Sequence, residues 1–208
     1  MDQIIALLEK LRVIPVISID DPDKALPLAD ALIEGGLPLA EITFRTEAAT
    51  KAIEILGKQR PELNVCAGTI LTIDHLKKAK DYGARFGVAP GFDPKMVEEA
   101  FKINFPFIPG VLTPSEVTMA INYGLTLLKF FPSEPAGGIK LLKSIIAPFA
   151  HLGIKYSPTG GIGKDSYLDY LEIPQVISVG GSWIASKEDI GEGNWEQIKS
   201  NCLEITGQ

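Results

Sequence analysis

The sequence predicts an α/β protein whose eight parallel strands close into a (β/α)8 TIM barrel, preceded by an additional N-terminal helix. Three observations carry that expectation. Eight short β-rich runs recur along the 208 residues, and segments of helical periodicity separate them. Their starts lie about 20 to 28 residues apart, the length of one strand, one helix and two loops. No G-x-G-x-x-G follows the first run, so an open dinucleotide-binding sheet lacks its fingerprint. Nothing reads as a linker, repeat array or low-complexity stretch, so residues 1–208 are expected to form a single domain.

The elements follow in order. DQIIALLEKL carries apolar residues at 4, 5, 7, 8 and 11, a helical stripe. The strands are expected at VIPVIS (13–18), LAEITF (39–44), NVCAG (64–68), RFGVAP (85–90), FPFIPG (105–110), TLLKFF (126–131), IKYSPT (154–159) and VISVGG (176–181). Pro15 and Pro106 fall inside two of these runs, where parallel strands disfavour proline. Asp21-Pro22, Asp93-Pro94 and Thr113-Pro114 each set a capping side chain before a proline at the first helical position. Glu116 completes a capping box with Thr113. Thr46, Thr72 and Asp165 are read as further caps. KAIEILGKQ and KMVEEAFKI have amphipathic spacing.

Composition narrows the function. Apolar residues make up 46% of the chain, which supports a sizeable core. The net charge of −6 argues against nucleic acid, which selects basic faces. No run reaches the roughly 18 apolar residues of a membrane span. The N-terminal segment has neither the basic start nor the long apolar run of a signal peptide. Cys66 and Cys202 lie far apart and read as reduced thiols, so a cytoplasmic setting is expected. His75, expected on a solvated helix, and His151, expected in a loop, lack a second ligand at metal spacing.

In such a barrel the active site lies at the C-terminal ends of the strands. Glu41, Thr43 and Arg45 share one parity of the second strand, and Ala40, Ile42 and Phe44 the other. The third strand ends in Ala67-Gly68-Thr69 and the fourth in Ala89-Pro90-Gly91. On the sixth, Leu127, Lys129 and Phe131 share a face, which sets Lys129 inside an apolar run. A lysine that loses hydration or sits near another cation becomes a nucleophile toward carbonyls. Arg45 is a candidate for that charge, Glu41 for a general base, and Arg45 with Thr69 for holding a carboxylate. The bland alternatives are a solvated rim lysine and a structural Glu41–Arg45 ion pair. The seventh strand runs into Thr159-Gly160-Gly161 and the eighth into Gly180-Gly181-Ser182. Paired glycines after these two strands suit a phosphate.

EGGLPLAEITFRT, CAGTIL, GVAPGF, IPGVLTPSE, LKFFPSEPAGG, SPTGGI and VGGSW together resemble the 2-keto-3-deoxy-6-phosphogluconate (KDPG) aldolases, also called 4-hydroxy-2-oxoglutarate (KHG) aldolases. The resemblance spans about residues 10 to 185. It implies a class I, Schiff-base aldolase of the Entner–Doudoroff type, a homotrimer acting on a small keto-acid sugar phosphate with no metal or organic cofactor. It makes Lys129 the Schiff-base residue and Glu41 the proton-transfer residue. Arg45 and Thr69 would bind the pyruvate carboxylate, while Gly160, Gly161, Gly181 and Ser182 would hold the phosphate. Pro90 and Phe131 would line the pocket, and Thr159 joins them in the substrate site. Ala89, Phe92 and Leu112 depart from the family pattern at the lining and leave fine substrate preference open. Two rival readings are a phosphosugar isomerase or synthase without a covalent step, and a non-catalytic phosphosugar-binding protein. Neither needs a strand-buried amine.

Overall fold

Parallel strands buried on both faces must be covered by helices, and the chain supplies them alternately. The computed structural model describes residues 1–207. They pack as two compact units: one holds residues 14–87 and those from Ser182 onward, the other residues 1–13 and 88–181.

In the first unit, β1 (Val13–Ile17), β2 (Leu39–Thr43), β3 (Asn64–Gly68) and β4 (Phe86–Val88) run parallel. Pro15 lies outside the β1–β2 register, which begins after it at Val16 opposite Glu41. Every residue of β2 and β3 is buried. A 3₁₀ turn (Pro22–Lys24) leads into α2 (Ala25–Glu34), and α3 (Ala48–Gln59) and α4 (Ile73–Asp81) follow β2 and β3. The Asp21 side chain accepts from the Asp23 N–H at 3.0 Å, and Thr72 caps α4 by accepting from His75 N–H at 3.1 Å. Thr46 does not cap α3; its hydroxyl donates to the Ile19 carbonyl. After α10 (Lys187–Glu192), α11 (Trp195–Thr206) packs on α2. Gly35 is what admits it: a Cβ there would collide with Cys202. Lys199 adds an ion pair to Glu34 at 2.7 Å.

In the second unit, α1 (Asp2–Leu11) buries Ile4 and Leu8 of the expected stripe. Next come α5 (Pro94–Lys102), β5 (Phe107–Ile108), β6 (Gly110–Val111), α6 (Pro114–Asn122), β7 (Leu127–Phe130), α7 (Ser133–Ala136) and α8 (Gly138–Ile146). A 3₁₀ turn (Ala147–Leu152) leads to β8 (Lys155–Pro158), α9 (Tyr167–Leu171) and β9 (Val179–Gly181). Asp93 caps α5, and Thr113 and Glu116 form the full capping box of α6. Asp165 does not cap α9, which starts after Ser166 with no side-chain cap.

The expected closed eight-stranded barrel is not what forms. The strands make a six-stranded sheet, ordered β5-β4-β3-β2-β1-β9, and a separate three-stranded sheet, β6-β7-β8. Two local features divide them. Pro109 has no N–H and splits the expected fifth strand into β5 and β6, which join different sheets. Among the described residues, the segments around β8 and β9 are joined by isolated bridges, Tyr156 with Val176 and Thr159 with Gly180. The expected strand 176–181 is regular only over β9, too short for a continuous ladder with β8.

Candidate active site

The second unit positions Lys129. It lies on β7 with Gly110 of β6 and Ser157 of β8 as register partners. Partners on parallel neighbours project from one face, so the lysine stands between a residue with no side chain and a small hydroxyl. Its N–H donates to the Pro109 carbonyl at 3.0 Å, and its side chain is nearly buried, with the residue 6% exposed. Nζ stands 5.5 Å from the centre of the Phe131 ring, a cation–π distance. Gly110 has no alternative, because a Cβ there would collide with the Pro90 carbonyl. Ser157 Oγ lies 2.9 Å from Ser178 Oγ, and both serines are buried.

The glycine turn after β8 is tied to the turn after β7. Thr159 N–H donates to Phe130 at 2.9 Å; Ser133 N–H returns to Thr159 and Glu134 N–H to Gly160, each at 2.9 Å. Gly160 and Gly161 take φ of +102° and +80°, a region that side chains rarely adopt. A Cβ at Gly160 would also press on the Phe131 ring at 3.1 Å. At Gly180, next to Gly181, it would stand 2.5 Å from Thr159 Oγ1. Lys129, Phe131, Pro90, Thr159, Gly160, Gly161 and Gly181 therefore belong to one unit, most of them joined by direct backbone links or contacts.

The first unit holds the rest. Glu41 on β2 is 2% exposed, and its side chain lies over Gly68 of β3. Thr43 donates to the Ile17 carbonyl at 2.8 Å and accepts from Arg45 Nε at 3.1 Å. Arg45 is exposed just past the strand end, held near it by that bond. Thr69 follows Gly68 with φ +55°, an outlier for a β-branched residue of the kind that gathers at functional sites. Ser182 is exposed, and Asn201 braces the segment after it by donating to the Ile184 carbonyl at 3.0 Å.

Sequence reasoning missed Gly68, Gly110, Ser157 and Ser178. A glycine inside a strand is a signal of close approach, which could have marked the first two. His75 is not simply solvated: it is half-buried and stacks on Phe44 with centroids 4.6 Å apart. Among the described residues, no three or more His, Cys, Asp or Glu side chains are placed to hold a metal ion. No helix among them is long and apolar enough to cross a membrane.

Residues 4–201 match the family model for KDPG and KHG aldolases. The 2-dehydro-3-deoxy-phosphogluconate aldolase of Haemophilus influenzae is 46% identical, over 98% of this chain and 95% of that one. The solved KDPG aldolase of Legionella pneumophila, with pyruvate captured at low pH as a covalent carbinolamine intermediate, superposes with a TM-score of 0.93. It is 40% identical and the match covers 97% of each chain. The 2-keto-3-deoxy-6-phosphogluconate aldolase of Zymomonas mobilis, solved with 3-phosphoglycerate, gives a TM-score of 0.88 at 36% identity, over 97% of this chain and 94% of that one. With a family match running almost end to end and relatives this similar over their full lengths, the chain belongs to the KDPG and KHG aldolase family.

Proposed function

We propose that this chain is a Schiff-base aldolase that splits KDPG into pyruvate and glyceraldehyde 3-phosphate, and KHG into pyruvate and glyoxylate. The observation that carries the reading is Lys129: a nearly buried amine on a strand, flanked by Gly110 and Ser157. A rim lysine has no need of such a place. The carbinolamine trapped in the Legionella relative and the phosphate-bearing ligand in the Zymomonas relative support the two halves of the assignment.

In this reading Lys129 Nζ adds to the C2 ketone, and loss of water gives a protonated imine. Glu41, directly or through a water, takes the proton of the C4 hydroxyl. The C3–C4 bonding pair moves into the imine, leaving an enamine and releasing the aldehyde. The enamine takes a proton at C3, returned by Glu41, and water then frees pyruvate and restores the amine. The protonated imine is the electron sink, so the steps call for no metal or organic cofactor. Arg45 and Thr69 hold the carboxylate of the pyruvate half, Arg45 by its bidentate fork. Gly160, Gly161, Gly181 and Ser182 hold the phosphate through backbone N–H groups and a hydroxyl, and Pro90, Phe131 and Thr159 line the substrate. A cytoplasmic homotrimer belongs to the same reading.

The test is chemical trapping. Pyruvate followed by borohydride should add the mass of a reduced pyruvyl group to the peptide that contains Lys129. A protein that gains nothing, or gains it at another lysine, overturns the assignment.

A further inference from the structure

The turn after the Lys129 strand carries a chain of polar side chains that the aldol steps leave unused. Ser133, fully buried at the start of α7, donates to Tyr170 Oη at 2.8 Å. Tyr170, fully buried on α9, donates in turn to the Glu134 carboxylate. Burial, reinforced by the Glu134 hydrogen bond, pushes the Tyr170 hydroxyl up to about 12, so it remains a donor throughout the working range of pH.

Glu134 begins against the glycine turn and ends away from it. A Cβ at Gly161 would stand 2.7 Å from Glu134 Cβ and 3.2 Å from its Cγ, so the stem of the side chain lies over that residue. Its carboxylate turns to Gly138 instead, where a Cβ would meet Glu134 Oε1 and Tyr170 Oη, each at 3.3 Å. Gly138 opens α8, and the N-terminal end of a helix favours negative charge. Glu134 as a whole is exposed, which leaves its carboxylate room to swing once the tyrosine bond is gone.

We propose that Tyr170 is a positioning residue that sets the preference for phosphorylated substrates, by latching the Glu134 carboxylate away from the Gly160–Gly161 turn. The inference rests on the reading of that turn as the phosphate site. A swung carboxylate would put like charge beside a phosphate dianion and weaken its binding about five- to tenfold in a partly solvated site. KHG, which has no phosphate, would not sense the change.

Steady-state kinetics on the full-length protein test this with both substrates, and inorganic phosphate serves as a competing probe. Tyr170→Phe should raise KM for KDPG about five- to tenfold and weaken inhibition by phosphate by the same factor. The kcat should hold, and KHG kinetics should stay within about twofold. Adding Glu134→Gln to Tyr170→Phe should restore the KM, because it removes the charge and keeps the shape; a merely structural tyrosine gives no such rescue. Glu134→Asp, one methylene short of the tyrosine and so left nearer Gly161, should show the same split, absent in Glu134→Asn, and it serves if Tyr170→Phe fails to fold. Equal losses on both substrates, or no rescue by Glu134→Gln, overturn the latch. Ser182→Ala separates the two layers. If it discriminates between the substrates while Tyr170→Phe does not, the phosphate turn stands and the latch is wrong. If it affects both substrates equally, the phosphate reading falls and the latch falls with it.

Discussion

Glu41 lies so closely over Gly68 that a methyl group on that glycine would stand 2.5 Å from the Glu41 Oε1 atom. Thr43 and Gly68 are register partners, and Glu41 faces Cys66 two residues earlier, so the neighbouring strand yields its side-chain space just where the carboxylate needs it. Gly68→Ala should therefore displace Glu41 without removing it. We expect kcat to fall about 10- to 100-fold, the scale of a misplacement near 1 Å, with borohydride trapping of pyruvate retained. A variant that turns over at the wild-type rate would show that the carboxylate can relocate freely.

Glu41→Gln removes the base and keeps the shape. Turnover should drop about 10²–10⁴-fold, with imine formation less affected. Deuterium exchange at the pyruvate methyl group, followed by NMR, reads the proton step alone. Full-rate exchange in the variant would take Glu41 out of proton transfer.

Lys129→Ala should abolish both cleavage and trapping while the far-UV circular dichroism is unchanged. Lys129→Arg should fail as completely, since a guanidinium stays protonated and cannot add to a ketone. Near-normal cleavage by either variant is incompatible with a Schiff base at this position.

Ser182→Ala removes one hydroxyl donor from the proposed phosphate site. The expected loss in kcat/KM for KDPG is about 1.5–3 kcal/mol, the scale of a hydrogen bond to a charged group. KHG cleavage should change much less. Measuring both substrates on one preparation decides it.

Tyr156 offers a test of stability rather than chemistry. Its hydroxyl is buried with no hydrogen-bond partner among the described residues, and burial pushes it up to about 12. The unfolded chain, with the ordinary value of 10.0, loses that proton first as pH climbs. Stability that is whole below pH 10 is thus lost between about 10 and 12. Tyr156→Phe should stabilise the protein by about 1 kcal/mol near neutral pH and lessen the alkaline loss. Urea melts at pH 7 and pH 11 give both numbers; a Phe variant less stable at pH 7 would mean the hydroxyl is satisfied in solution.

The strand positions were legible because a buried parallel strand writes itself as a short apolar run between turn residues, as Leu39–Thr43 and Asn64–Gly68 do. Caps written by a side chain before proline, at Asp21, Asp93 and Thr113, were equally readable. Closure was not legible. It depends on whether ladders continue from one strand to the next, and the missing N–H of Pro109 acts on that non-local property. Pro106, flagged from the sequence, lies just outside β5, while Pro109 does the dividing. In the site, the polar side chains announced themselves, whereas Gly68 and Gly110 act through the space they leave. Ser157 earns its place only through its register with Lys129, which no linear pattern displays.

The packing of α11 on α2 also bears on how the protein is made. A ribosome delivers the chain in order, and α2 emerges more than 150 residues before its cover, since Gly35 waits for Cys202 and Glu34 for Lys199. Throughout that interval Leu28 and Leu32, buried in the finished molecule, lie on a helix whose covering is incomplete. Until that cover arrives, the Gly35 side of α2 lacks the packing it has in the finished protein. Synthesis that stalls before residue 195 should leave a protease-sensitive intermediate in which residues 14–87 never reach their final protection.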